Sequence, residues 1–235
     1  MRPIGFSTGA LAKGDFRHGV ALQHREERIQ AIELSALRDH ELPLLVDAVP
    51  ALELRRFPYV SVHAPSRLQT LAEEDVFAML LRLPEAWPVI AHADLLHTPS
   101  LWQALGARLC IENMDDRKTT GRTVEELRTL FALYPDASFC LDLGHARQID
   151  PTMTSALRML REFGARLRQV HVSDVGTRGE HLPLGVMARR AFTHVAHRIP
   201  ERCPLIIESV IAAEAIGGEL DAVRLALPSN ANAAA

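Results

Sequence analysis

Ionisable side chains recur along this chain, and each of them closes a short apolar run. The residues in question are Glu33, His63, His92, Glu112, Asp142, His171 and Glu208. The intervals between them are 30, 29, 20, 30, 29 and 37 residues. A strand buried on both faces is usually aliphatic throughout, so an acid or imidazole at its end breaks the local pattern. Because the break recurs at one place, we interpret the seven residues as parts of a single site.

Acids and imidazoles gathered in one site indicate a bound metal ion. Such groups would repel one another or lose their hydration, and a divalent cation relieves both costs. The central set is Glu112, Asp142, His171 and Glu208. This mixture suits Zn²⁺, Mn²⁺ or Fe²⁺ better than Ca²⁺, and the lack of thiolates at the strand ends argues against a structural zinc. We therefore predict a divalent metal site.

Four further histidines and one acid are candidates for the site, and most of them could instead have a structural or solvent-exposed role. His63 and His92 are either ligands or neutral core histidines bonded to the backbone. A glycine before His145 lets the chain turn, which makes His145 another candidate ligand. For His181, in the loop after the seventh strand, a site role and ordinary solvent exposure are both open. Glu33 either lines the pocket or has a structural role.

Short apolar runs alternate with helical segments, which predicts parallel strands covered by helices. The predicted strands are Ile4–Thr8, Ala31–Ser35, Tyr59–His63, Pro88–His92, Arg108–Glu112, Ser138–Asp142, Arg168–Val172 and Leu205–Glu208. At roughly 30 residues per unit, eight units suit this length, so we predict one (β/α)8 TIM barrel over residues 1–227. The carboxyl ends of barrel strands meet on one face, which would gather the candidate residues.

Local signals mark two of the helices and the end of the chain. Thr123 and Glu126 predict a capping box for a helix over 123–134. Apolar residues at helical spacing predict a second helix over 152–167. Residues 228–235 are small, polar and rich in alanine, so we expect a disordered C-terminal tail.

Composition places the chain among ordinary globular proteins. It has 235 residues, 48% of them hydrophobic and 23% charged, with a formal charge of −3. No apolar run reaches the 18 or so residues that span a bilayer, and no secretory core begins the chain, so we expect a cytosolic protein. The three cysteines are far apart, which favours reduced core thiols over disulfides.

Four segments occur in order at barrel spacing and carry a family resemblance. They are Ile111-Glu112-Asn113, Leu141-Asp142-Leu143-Gly144-His145, Val170-His171-Val172-Ser173-Asp174 and Ile206-Ile207-Glu208. Together they resemble the xylose isomerase-like superfamily, from Ile4 to about Leu227. Its members include sugar isomerases and epimerases, and also zinc-dependent apurinic/apyrimidinic endonucleases. The resemblance implies a TIM barrel and a metal.

The isomerase and epimerase branch implies one metal and a pair of proton-transfer acids. Its ligands would be Glu112, Asp142, His171 and Glu208. Glu112 and Glu208, on opposite sides of the barrel, would remove and return a carbon-bound proton. On the same resemblance His145 would bind a substrate hydroxyl, and Arg178 or Arg147 would neutralise a phosphate or carboxylate at the rim.

The endonuclease branch implies three metals and nine ligands, of which eight are present. They are His63, His92, Glu112, Asp142, His145, His171, His181 and Glu208. The ninth should be an Asp where this chain has Gly179, with Glu180 next to it, which leaves the third metal open. No cluster of basic residues with interleaved aromatics appears, so we do not expect nucleic acid as a partner.

Our leading hypothesis from the sequence is a metal-dependent isomerase or epimerase. Its substrate would be a small sugar or a sugar-phosphate-like hydroxy-carbonyl compound. The alternative is a hydrolase of phosphoester or related bonds with two or three metals, and a barrel that only binds a ligand ranks last. The cofactor would be one to three ions of Zn²⁺ or Mn²⁺, with Fe²⁺ as a further option. The sequence leaves the substrate and the oligomeric state open.

Overall fold

Eight parallel strands close into a barrel in the computed structural model, which describes residues 2–228. The strands are β1 (Ile4–Ser7), β2 (Ala31–Ser35), β3 (Tyr59–His63), β4 (Val89–His92), β5 (Leu109–Glu112), β6 (Ser138–Asp142), β7 (Leu167–Val172) and, after an antiparallel ribbon of β8 (Asp174–Val175) and β9 (His181–Leu182), β10 (Leu205–Ile207). Each barrel strand pairs with the next, and β10 pairs with β1. The predicted TIM barrel is confirmed. The predicted tail lies outside the described residues, apart from Pro228.

Helices surround the barrel. They are α1 (Thr8–Ala12), α2 (Phe16–His24), α3 (Leu42–Ala48), α4 (Glu73–Leu81), α5 (Pro99–Gln103), α6 (Val124–Leu133), α7 (Leu143–Ile149), α8 (Thr154–Phe163), α9 (Val186–Ala196) and α10 (Ile216–Ala226). Their apolar faces and the outward side chains of the strands form one buried core, with Phe6, Trp102 and Phe139 among its largest members. Over residues 2–228, every helix is too short or too polar to cross a membrane.

The predicted capping box is only half formed. Thr123 is the N-cap of α6, and its hydroxyl accepts a hydrogen bond from Glu126 N at 3.2 Å. The Glu126 carboxylate, however, accepts from Arg122 N at 2.7 Å rather than from the N-cap amide, because it also pairs with the Arg122 guanidinium. The helix predicted over 152–167 is shorter, since a 3₁₀ turn at Gly164–Arg166 leads into β7.

Strand ends differ from the predicted bounds by one residue at several points. Thr8 begins α1 instead of closing β1, and Glu208 follows the last residue of β10. Glu208 still donates its backbone N–H to Val172 O at 3.0 Å, so its backbone extends the ladder. Inside the barrel Cys110 and Cys140 pack with Ile90, apart from the main core. All three cysteines are buried free thiols, as expected.

Replacing Gly5 by alanine should disrupt barrel closure. Gly5 is paired with Ala31 on β2, and an added Cβ would overlap the Ala31 carbonyl group. Because that neighbour is backbone, the strands must separate, and we expect Gly5→Ala to lower the free energy of unfolding by about 3 kcal/mol or more. Denaturant unfolding followed by circular dichroism measures the change.

Gly218→Ala is the matched control. Gly218 is exposed on α10, with no atom close to an added Cβ. The substitution should raise the free energy of unfolding by about 0.5 kcal/mol, because alanine is the better helix former. Equal stability of the two variants would contradict the close approach of β1 and β2.

Candidate metal centre

The carboxyl ends of the strands bring six of the seven predicted residues to one mouth of the barrel. The six are His63, His92, Glu112, Asp142, His171 and Glu208. Glu33 differs, because β2 continues to Ser35, which is level with His63. Glu33 is therefore level with Ser61, one layer deeper in the barrel. The alternation of strand side chains explains why both layers point inward.

Two groups of potential ligands share Glu112. Site A consists of His63, His92 and Glu112, and site B consists of Glu112, Asp142, His171 and Glu208. In site A, Glu112 Oε2 is 3.4 Å from His63 Nε2 and 3.5 Å from His92 Nε2. In site B, His171 Nδ1 is 3.3 Å from Glu112 Oε1 and 3.3 Å from Glu208 Oε2. The two oxygens of one carboxylate thus face two different groups.

The donor atoms suit divalent cations. Ligands at about 2.1 Å around a tetrahedral zinc are about 3.4 Å from one another, which is close to the separations in sites A and B. Glu112 Oε2 and Asp142 Oδ2 are buried and lack a hydrogen-bond partner. Buried carboxylate oxygens are normally paired, so both atoms are open to a ligand that the protein does not itself supply. Sites A and B therefore fit bound metal ions.

Hydrogen bonds around the sites set the direction of the imidazoles. His63 Nδ1 lies 2.6 Å from Ala64 O, so a proton on Nδ1 leaves Nε2 free to face Glu112.

The side chain of Asn113 accepts from Asp142 N at 2.7 Å and donates to Asp142 O at 2.9 Å. This pair of hydrogen bonds fixes the ends of β5 and β6 relative to each other, and with them two of the carboxylates.

Glu33 lies beneath site B and contacts protein groups. It is fully buried, and its Oε2 is 3.2 Å from His171 Nε2. The same oxygen accepts hydrogen bonds from Gln169 at 2.7 Å and Ser61 at 3.1 Å. Glu33 also forms a potential ligand group with His63 and Glu208. It does not line the pocket at which we expected it to meet substrate.

Imidazolium charges compensate the carboxylates when no metal is bound. Burial lowers the pKa of His63, but Glu112 and Glu33 outweigh it and raise that pKa to about 9. Burial also opposes the charge on His145, and Asp142 with Glu112 raises its pKa to about 10. The His171 pKa is likewise raised, against burial, by its carboxylate neighbours. In turn, despite burial, these imidazoles hold the pKa of Glu112 well below its usual range.

Three groups of the site favour their neutral forms. Burial lowers the pKa of His92 well below its usual value and that of His181 to about 4. Burial raises the pKa of Glu208 to about 8. Repulsion from the negative charges of Glu112 and Asp142 adds to this increase, whereas His171 lowers the pKa. A neutral imidazole is the form that ligates a metal, so His92 does not have to lose a proton before it binds one.

A cavity of about 700 Å³ opens above the two sites. His145 and His181 line it, with ring centroids 5.5 Å apart. The predicted Arg178 does not line it and is 88% exposed, 3.6 Å from Glu180. Arg147 is held by Asp174 at 2.5 Å.

The sequence analysis did not predict three basic residues that line the cavity. They are Arg67, Arg117 and Lys118. They follow His63 and Glu112 by four to six residues, and this position in the loops after β3 and β5 was the available signal. Lys118 pairs with Asp94 at 2.7 Å, and Arg117 pairs with Asp115. The cavity wall therefore carries cationic groups as well as ligands of sites A and B.

Comparisons with known proteins identify the fold. No family model and no curated protein matches the chain. Endonuclease IV from Thermus thermophilus is 21% identical, with a TM-score of 0.62 over 96% of this chain and 98% of that one. An AP endonuclease of family 2 from Brucella melitensis is 12% identical, with a TM-score of 0.63 over 92% and 96%. A 3-keto-D-glucoside 4-epimerase from E. coli is 11% identical, with a TM-score of 0.63 over 96% and 99%.

These three similar structures are all enzymes, and all are xylose isomerase-like TIM barrels. The resemblance drawn from the strand-end motifs is thus confirmed at the level of the fold.

Metal binding should release protons. The pKa of His63, about 9, means that the imidazole is protonated at pH 7 and must lose its proton before it can ligate. We expect the dissociation constant for Co²⁺ to fall as the pH rises from 6.5 to 8.5, by up to about tenfold per unit for each displaced proton. Titration calorimetry in buffers of different ionisation enthalpy counts those protons. Affinity independent of pH would contradict the charge distribution of the site.

Proposed function

We propose that this chain is a metal-dependent hydrolase of phosphoester bonds in small anionic molecules, and that it uses two divalent ions. The observation that carries the proposal is the position of Glu112 between sites A and B. Its Oε2 faces His63 at 3.4 Å and its Oε1 faces His171 at 3.3 Å. A carboxylate whose two oxygens face two ligand groups would help to hold two ions, which is the metal content that two-metal phosphoester hydrolysis requires.

The two ligand sets divide the work of holding the ions. His63 and His92 complete site A, while Asp142, His171 and Glu208 complete site B. Ions held by these residues would supply Lewis acidity toward phosphoryl oxygens and water. The chain's own residues then bind the substrate and manage its protons.

Glu208 is the ligand best placed to move a proton. It lines the cavity, and its side chain is 12% exposed, whereas the other acids of site B are fully buried. Its Oε2 is 3.7 Å from His181 Nδ1, so a proton taken up from water by Glu208 has a neighbouring imidazole. In the metal-free protein the pKa of Glu208 is about 8, so this side chain already carries a proton at neutral pH; it would accept a proton from water only as the carboxylate, which is the form that ligates a metal. The pKa of His181, about 4, leaves that imidazole neutral and able to accept the proton in turn.

Basic residues of the cavity wall support an anionic substrate. Arg67 is exposed there, and Arg117 and Lys118 stand on the loop after β5. Guanidinium groups bind phosphate oxygens through paired N–H donors. A formal charge of −3 provides no overall attraction for nucleic acid, so a small phosphoester suits the cavity better.

A second candidate, isomerisation or epimerisation of a sugar-like hydroxy-carbonyl compound, is favoured by one observation. Glu112 Oε1 and Glu208 Oε2 each lie 3.3 Å from His171 Nδ1. Against burial, imidazoles hold the pKa of Glu112 well below its usual range, whereas burial raises the pKa of Glu208 to about 8. Two carboxyl groups with separated pKa values can act as a base and an acid. This chemistry needs the ion of site B alone.

The His92→Ala variant separates the two candidates. It removes a ligand of site A and leaves site B complete, so we expect the metal content to fall from two ions per chain to one. Hydrolysis of bis(p-nitrophenyl) phosphate should then fall by more than about 100-fold, since losing even an outer partner costs 10- to 100-fold. Elemental analysis and a chromogenic assay supply the two readings.

The control is His97→Ala, which removes an exposed imidazole that lies outside the cavity wall. It should retain both ions and full hydrolysis. One ion per unmodified chain, together with deuterium wash-in from solvent into a ketose that survives His92→Ala, would reject hydrolysis in favour of isomerisation.

A further inference from the structure

Arg117 is fixed between two loops beside the candidate metal centre. Its Nε donates to Asp115 Oδ2 at 3.0 Å, and its Nη2 donates to the same oxygen. Its Nη1 donates to the backbone carbonyl of Arg178 at 2.9 Å. Asp115 stands on the loop after β5, and Arg178 on the turn between β8 and β9. The guanidinium therefore joins the two loops and forms part of the cavity wall.

Gly179 leaves the space that this guanidinium occupies. It has a φ of 75°, and an added Cβ would overlap the Cζ, Nε and Nη2 atoms of Arg117. Any side chain at position 179 would displace the guanidinium. Arg117 can therefore keep this position only because residue 179 is glycine.

The neighbouring imidazoles are left without a complete metal-ligand group. His145 Nε2 is 3.9 Å from Asp115 Oδ2, and the His145 ring lies beside that of His181. Within residues 2–228, the groups that can hold a metal include neither histidine. The carboxylate nearest to His145 Nε2 is instead paired with Arg117. These residues do not fit the third ion that the endonuclease resemblance implies.

We propose that Arg117 is a fixed cation in the place that a third metal ion would take. The chain then holds ions in sites A and B only, and the guanidinium presents its positive charge to an anionic oxygen of the substrate. His145 and His181 face the cavity as contacts for substrate rather than as ligands. This inference rests on the proposed function for the ions of sites A and B and for the class of substrate.

Rebuilding a third ligand group tests the proposal. The double variant Arg117→Ala/Gly179→Asp removes the guanidinium and supplies a carboxylate two residues before His181. We expect it to bind one more Co²⁺ ion than the unmodified chain, counted by elemental analysis and by visible absorption after desalting. Gly179→Asp alone should bind no additional ion, because the displaced guanidinium of Arg117 can still pair with the new carboxylate, whereas the double variant leaves both that carboxylate and Asp115 free for a metal.

A second measurement does not depend on how well the double variant folds. His145→Ala and His181→Ala, each in the otherwise unmodified chain, should retain the original number of ions. Loss of an ion in either variant, three ions in the unmodified chain, or a folded double variant without an additional ion would overturn the proposal. One ion in the unmodified chain would reject the proposed function, which needs two. It would not by itself reject the role of Arg117, because the additional ion of the double variant is counted relative to the unmodified chain.

Inorganic phosphate tests the contact with an anion. In the metal-loaded protein we expect Arg117→Ala to weaken phosphate binding by about tenfold or more, the size of a lost charged hydrogen bond. Arg178→Ala is the control, since that side chain is 88% exposed and lies outside the cavity wall, and its affinity should be unchanged. Equal phosphate affinities in the two variants would overturn the assigned contact.

Discussion

The buried negative charge of Glu112 is the constraint on which the rest of the site depends. Its side chain is 1% exposed, and imidazole nitrogens of four histidines lie within 3.5 Å of its two oxygens. An isolated carboxylate at this depth would be strongly destabilising, so compensating positive charge has to be present. Protonated imidazoles provide it when no metal is bound, and metal ions would provide it after those protons leave. The same geometry therefore serves both forms.

Two layers of the barrel interior hold this charge in place. The lower layer is polar, with Glu33, Ser61 and Gln169 bonded to one another beneath His171. Asn113 ties the ends of β5 and β6 through both of its side-chain polar atoms. Buried carboxylate oxygens without a hydrogen-bond partner occur in both layers, at Glu112 Oε2 and Asp142 Oδ2 above and at Glu33 Oε1 below.

Sequence reasoning recovers the parts of the site that strand periodicity controls. Strand ends converge in a closed barrel whatever the loops do, so the mouth residues could be placed from their spacing alone. Glu33 was placed one layer too high although the bounds of β2 were predicted as they are observed, because Glu33 lies two residues before the strand end and is level with Ser61 in the register with β3. The direction of Arg117 was beyond reach, since Asp115 and a carbonyl of a distant loop set it. Thr123 shows the same limit, because Arg122 captures the Glu126 carboxylate that local pattern assigns to the cap.

The relation between Arg117 and Gly179 suggests how one barrel accommodates different chemistry. Both residues lie in loops, 62 positions apart in sequence. The absence of a side chain at Gly179 leaves space for the Arg117 guanidinium, and the guanidinium fills that space. A guanidinium differs from a metal ion in that its charge is permanent and independent of metal supply, and it offers N–H donors instead of open coordination positions. Exchange of one for the other would keep the positive field at the cavity while removing a Lewis acid. The strand-end carboxylates need not change for this to happen, so the number of ions would be decided by loop residues whose roles periodicity cannot reveal.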